Sequence, residues 1–222
     1  MSNYNILKII NKIQHLKDID SNVYNYVFRK LYFKLLRSIY KFNKWHSGAI
    51  FEDRIYRKKI LELIESIGSE LSVVVELGCG LGEVLSRITA KKKYGVDLSL
   101  NVIKAARVIN SKNITFIHGN FESIFDITES NISLLLLVNI FYAMPSQKII
   151  DDIIAIIKKK NICYIISDKV YNPILFDQYS IEKCIGYKRV KVMKVLNDGE
   201  NIRDLYLYRV INQNSPTHQI DN

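Results

Sequence analysis

Between residues 72 and 167 the chain alternates short, unbroken apolar runs with longer segments of helical composition. A strand that is apolar on both sides must be covered on both sides, so runs of this kind separated by helices specify a mostly parallel sheet with helices above and below it. The expected strands are 72–77, 94–97, 115–118, 133–139 and 163–167, and the expected helices 83–90, 99–110 and 147–159. After residue 167 the rhythm breaks. Residues 187–195 and 203–211 are both strand-like, and LNDGEN between them carries an Asp198-Gly199 pair that favours the tight turn of an antiparallel hairpin. The expected fold class is therefore α/β, a doubly wound Rossmann-like sheet whose last two strands form a hairpin.

The part before this domain reads differently. Tyr24, Phe28, Leu31, Leu35 and Ile39 recur at helical spacing with Arg29, Lys30, Lys34, Arg37 and Lys41 among them, which describes an amphipathic basic helix. A second helical pattern with Ile55, Leu61, Ile64 and Ile67 stops at Gly68, and the loop KWHSGAIFED lies between the two. Residues 1–60 hold 13 Lys and Arg against 4 Asp and Glu, so nearly all of the formal charge of +10 sits at the front. We expect three parts: a basic helical extension or lid at 1–69, the α/β domain at 70–211 and a polar, flexible tail at 212–222. A basic front suits an anionic small molecule, a nucleic acid or peripheral contact with an anionic membrane surface; the bland alternative is a solvated helix face.

Composition removes several classes. At 222 residues, with 48% hydrophobic and 24% charged residues, the chain has the make-up of a globular protein. Cys79, Cys163 and Cys184 are widely spaced, without a CxxC or Cys/His cluster, so no metal site and no disulfide framework is expected. The first residues show no charged leader followed by an apolar core, and the longest apolar runs are too short to span a bilayer, which together predict a cytoplasmic protein.

The first expected strand runs into glycines in the stretch VVVELGCGLGEV, residues 73–84. Glycine lets backbone approach a ligand closely, which places a binding site at the carboxyl end of this strand. Gly78, Gly80 and Gly82 give GxGxG, whereas a dinucleotide fingerprint needs GxGxxG and has Glu83 here in place of its third glycine. An acid at that helix start repels a diphosphate, so the ligand carries no phosphate there. Glu76 at the strand's end suits a cationic or amine-bearing group, and Asp97, ending the second strand, is placed to accept from both hydroxyls of a ribose. Together they describe a nucleoside with a positive amino-acid tail.

With ELGCGLGEV, YGVDLS, FIHGNFESI and LLLLVNIFYAMP in this order, the chain resembles the class I S-adenosylmethionine-dependent methyltransferases over about residues 70–211. The resemblance implies a seven-stranded sheet with a terminal hairpin and S-adenosylmethionine as cofactor. It implies that Glu76 and the loop Gly78, Cys79, Gly80 and Gly82 line the methionine and ribose part, that Asp97 takes the ribose hydroxyls, and that Leu98 packs on the adenine. Where the family commonly has an acid after the third strand, this chain has Asn120, whose carbonyl accepts the same bond from the adenine amino group, followed by Phe121. Asn139 is expected at the end of the fourth strand, beside the transferred methyl group.

Methyl transfer needs an aligned nucleophile and sometimes a base, so few catalytic residues are legible. The NPPY-type tetrapeptide of amino-methylating nucleic-acid enzymes, a Pro-Cys pair for cytosine C5 chemistry and a metal-dependent catechol site are all absent from the sequence. His46, in the loop that precedes the domain, and Tyr142, after the fourth strand, are the candidate catalytic residues; His118 and Asp168 are weaker ones. Three functions follow. The first is methylation of a small molecule, with a hydroxyl of a sugar or glycan precursor ahead of an amine or carboxylate. The second is methylation of RNA or another nucleic acid. The third is a silent, methyltransferase-like subunit that binds a partner through the basic helix.

Overall fold

Unbroken Val and Leu runs leave the central strands no polar face to turn to water, and they lie where that demands, in the middle of a covered sheet. The computed structural model of the protein describes residues 22–46, 51–110, 113–140, 147–169, 187–196 and 202–210. The strands are β1 (Val73–Leu77), β2 (Lys92–Asp97), β3 (Thr115–His118), β4 (Leu134–Leu137), β5 (Tyr164–Lys169), β6 (Tyr187–Leu196) and β7 (Ile202–Val210), and the helices are α1 (Asn22–Tyr40), α2 (Ile55–Glu65), α3 (Leu100–Ile109) and α4 (Gln147–Lys159). The seven strands form one sheet in the order β3-β2-β1-β4-β5-β7-β6. Pairing is parallel from β3 through β5, with Val75 of β1 opposite Tyr94 of β2 and Leu135 of β4. β7 is antiparallel to both β5 and β6, so the expected terminal hairpin is present. Its turn at 197–201, the tail and residues 1–21 lie outside the described residues.

Both faces of the sheet are filled. On one, Val74, Leu134, Leu136, Ile166, Leu205 and Leu207 pack with Tyr56, Ile60 and Leu63 of α2 and with Ile103 and Ala106 of α3. On the other, Val73, Val75, Leu77, Leu135, Leu137 and Ile165 pack with Ile153, Ile156 and Ile157 of α4. The boundary expected at 69/70 falls between α2 and β1, yet α2 lies on the sheet, its apolar face continuous with the core. The basic helix α1 forms a third cluster, with Tyr32 and Leu36 against Val102 and Ala105 of α3 and Leu81 of the glycine loop.

The helix expected at 83–90 is a correction. Only a single 3-10 turn, Leu85–Arg87, forms there, and Ile88 is already extended. The glycine loop consumes residues 78–82, which leaves too little chain for the dozen or so residues of an ordinary parallel crossover. The order of the sheet also fixes where a ligand binds. From β1 the chain winds outward to β2 and β3, then returns to β4 on the other side. The crevice at the carboxyl ends of β1 and β4 is thus the switch point at which open α/β sheets hold ligands.

Candidate functional site

Three positive φ angles shape the loop at this crevice: 67° at Gly78, 54° at Gly80 and 73° at Gly82. The Cys79 amide donates to the Val96 carbonyl at 3.0 Å, tying the loop to β2. Asp97 secures the rest. Its Oδ2 accepts from the Gly80 amide at 2.9 Å and its Oδ1 from the Ser99 amide at 2.8 Å. A carboxylate has about four acceptor positions, so two bonds leave capacity for a ligand. A side chain on Gly80 would place its Cβ 3.4 Å from His46 Nδ1, which shows that the imidazole rests against bare backbone. Gly82 serves packing instead, because a Cβ there would stand 2.6 Å from the Phe116 ring.

The loop walls a cleft of about 260 Å³ whose lining includes His46, Tyr56, Glu76, Gly80, Asp97 and Asn139. Glu76 is buried on the α2 face of β1, and its Oε2 has no hydrogen-bond partner. Burial pushes its carboxyl up to about 8; Arg57 opposes the shift, while Glu83 and Asp97 add to it. Arg57 is itself engaged in an ion pair with Glu83. Burial lowers the pKa of His46, Asp97 pulls it back, and Arg54 and Arg57 lower it further, so the imidazole is neutral at neutral pH. Its ring meets Phe42 edge to face with centroids 6.4 Å apart, which anchors the segment after α1 over the loop.

At the β4 end the cleft is lined by side chains from distant parts of the chain. Asn139 adopts a left-handed backbone with φ of 57°. Its amide donates to Asp168 Oδ1 at 2.9 Å, its Nδ2 donates to the Tyr56 hydroxyl oxygen at 3.0 Å, and its Oδ1 accepts from Arg203. Arg54 Nη1 also donates to the Tyr56 oxygen, at 3.2 Å. The Arg203 guanidinium lies 4.1 Å over the Tyr56 ring and 2.9 Å from Asp168 Oδ2, an ion pair out of line for a hydrogen bond. Burial pushes Asp168 up to about 6 in spite of that arginine.

The structure gathers His46, Glu76, Gly78, Cys79, Gly80, Asp97 and Asn139 around one cleft. The Cys79 thiol packs on Gly95, and burial raises its pKa well above the ordinary value. Gly82, Leu98, Asn120 and Phe121 are not among the lining residues. Leu98 follows Asp97 and is 73% exposed, an apolar side chain open to a flat ligand. The Asn120 carbonyl accepts from the Glu122 amide at 3.0 Å and so caps the 3-10 helix Phe121–Asp126, while Phe121 is partly buried beside the α4 core. His118 is exposed and contacts the Leu98 carbonyl at 3.1 Å. Tyr142 lies outside the described residues.

Sequence reading missed Arg54, Tyr56, Arg57 and Arg203. One signal was available for the last: Arg203 shares a strand face with Leu205 and Leu207, where a charge must find a buried partner.

Taken together, a buried carboxyl group with one oxygen unpartnered at the loop, a second carboxylate with spare acceptors and an exposed leucine beyond it fit a cationic amino-acid nucleoside. Comparison with known proteins agrees. Residues 75–165 match the family model described as a methyltransferase domain. No curated protein matches the chain significantly. Among solved structures, N-methyltransferase NodS from Bradyrhizobium japonicum WM9, in complex with S-adenosyl-L-homocysteine, superposes with a TM-score of 0.59 at 13% identity, covering 81% of this chain and 98% of that one. The methyltransferase domain of bacterial CtHen1 gives 0.56 at 12% identity, covering 70% and 97%. A TehB-like SAM-dependent methyltransferase from Corynebacterium glutamicum ATCC 13032 Kitasato gives 0.52 at 14%, covering 68% and 86%. At such identities the structures carry the fold, and the family match carries the chemistry. Residues 75–165 therefore match a methyltransferase domain, carried on the fold that this chain shares with these solved methyltransferases.

Proposed function

We propose that this methyltransferase acts on a small molecule, at a hydroxyl of a sugar or glycan precursor. The observation that supports the reading is the β4 end of the cleft, where the hydrogen-bonded Tyr56, Asn139 and Arg54 place polar groups suited to a hydroxyl-bearing acceptor. S-adenosylmethionine supplies a methyl group on a positive sulfur, already a strong electrophile. What the protein must add is alignment and, for a hydroxyl, a proton acceptor. Glu76, Asp97 and the loop from Gly78 to Gly80 would hold the cofactor. His46, neutral and seated on Gly80, would close over it and exclude water. Transfer of labelled methyl from S-adenosylmethionine to a panel of monosaccharides, nucleotide-sugars and amines tests this. Ether products support the reading, and methylation confined to nitrogen overturns it.

A second reading, an RNA acceptor, is favoured by the front end. Lys30 and Lys34 on α1 and Lys41 just after it are exposed, and steps of four and seven residues suit them to a row of phosphates. On that reading RNA affinity falls with added salt with a slope of several phosphates. Binding that is weak and insensitive to salt removes it.

A further inference from the structure

Among the described residues that line the cleft, Tyr56 carries a phenol surrounded by donors. Arg54 Nη1 and Asn139 Nδ2 both donate to its oxygen, at 3.2 and 3.0 Å. Arg203 lies flat over its ring at 4.1 Å, and Arg57 stands 6.0 Å from the ring centroid. Asn139 cannot rotate away, because its other polar atoms are held by Arg203 and Asp168. An oxygen accepting from two such donors is arranged to carry negative charge, and as a phenolate it keeps a third lone pair to take a proton. The groups that face it are cationic on two elements: Arg54 and Arg57 at the start of α2, and Arg203 on β7. Glu76 on β1 and His46 line the same cleft.

We propose that Tyr56 is the catalytic base, its phenolate oxygen taking the proton from the acceptor's hydroxyl as that oxygen is methylated. This inference rests on the hydroxyl-acceptor reading above. In the step the acceptor's O–H bond breaks and its proton binds Tyr56 Oη. The oxygen's electron pair forms the new bond to the methyl carbon, while the sulfur keeps the pair of the bond that breaks. Tyr56 then gives the proton to water, so one methyl and one proton leave for each turnover. Burial by itself would raise the phenol's pKa, but the charge and hydrogen bonds of Arg57 and Arg54 outweigh it and the net direction is down. His46, set against Gly80, is left to cover the cofactor.

The test begins with the protein alone. Carbon-13 labelling at the ring carbon bonded to oxygen gives each of the 14 tyrosines a resonance that moves on ionisation. One resonance is expected to titrate below all the others, to vanish in Tyr56→Phe and to titrate higher in Arg54→Gln. If every tyrosine titrates in the ordinary range the proposal is overturned, whichever acceptor the enzyme uses. With methyl α-glucoside and UDP-glucose as hydroxyl probes, kcat in Tyr56→Phe is expected to fall about 10²-fold or more, with S-adenosylmethionine affinity unchanged. Hydroxyl methylation that persists in Tyr56→Phe overturns the proposal while leaving the hydroxyl reading standing. Methylation confined to nitrogen, with a low-titrating Tyr56 still seen, overturns both as statements about the reaction.

Discussion

An acid buried with one oxygen unpartnered, as Glu76 is, is held neutral until a positive group arrives. Its folded pKa of about 8 stands above the ordinary 4.5, so its contribution to stability is fully present below about pH 4.5 and is lost as pH rises through about 8. Glu76→Gln has the same shape and no charge to bury. The variant is expected to match the wild type in acid and to be more stable by several kcal/mol at about pH 9, because each tenfold change in proton affinity on folding is worth about 1.4 kcal/mol. It is also expected to lose affinity for S-adenosylmethionine. Denaturant unfolding at the two pH values checks this, and equal pH dependence in both proteins would contradict it. The placement of Glu76, Gly80 and Asp97 beside one cleft was legible in the sequence because each lies in or just after a strand whose place in the fold follows from local pattern. Tyr56, Asn139, Arg203 and Asp168 are far apart in the chain and meet only when α2, β4, β5 and β7 are assembled. Asn139 was expected at the site, but its bonds to Tyr56 and Arg203 carry no local signal.

Elements were read best where a single period dominated. The helix expected at 147–159 is α4 over the same residues, because its apolar positions recur every three or four residues without a breaker. The third strand likewise matches residue for residue. The segment at 83–90 has helical composition too, but a geometric demand on the crossover overrides propensity. α1 shows how the front end is attached. Leu36 is fully buried between Tyr32, Leu81 and α3, so its side chain holds the basic helix to the glycine loop's outer side. Leu36→Ala is expected to cost about 2–5 kcal/mol in unfolding free energy, with amide exchange quickening first in α1 and in Val102 and Ala105. A change below about 0.5 kcal/mol would mean that α1 is not docked in this way.

For the whole molecule, the sheet order and its switch point make one claim on which the rest depends: the crevice between β1 and β4 holds an amino-acid nucleoside and not a dinucleotide. The mostly parallel sheet and its terminal hairpin were legible in a few sequence features, namely unbroken apolar runs, helical segments between them and two strand-like stretches at the end. The polar cluster at the β4 end and the docking of α1 do not follow from those features, since they depend on which side chains the finished fold brings face to face. Among the described residues no helix is long and apolar enough to cross a membrane, and no group of His, Cys, Asp or Glu is placed to hold a metal ion. Calorimetric titration of the protein with S-adenosylmethionine, S-adenosylhomocysteine and NAD tests the central claim most directly. Saturable binding of the first two, with none of NAD, is the predicted result. Binding of NAD in place of the other two would contradict the account at its root.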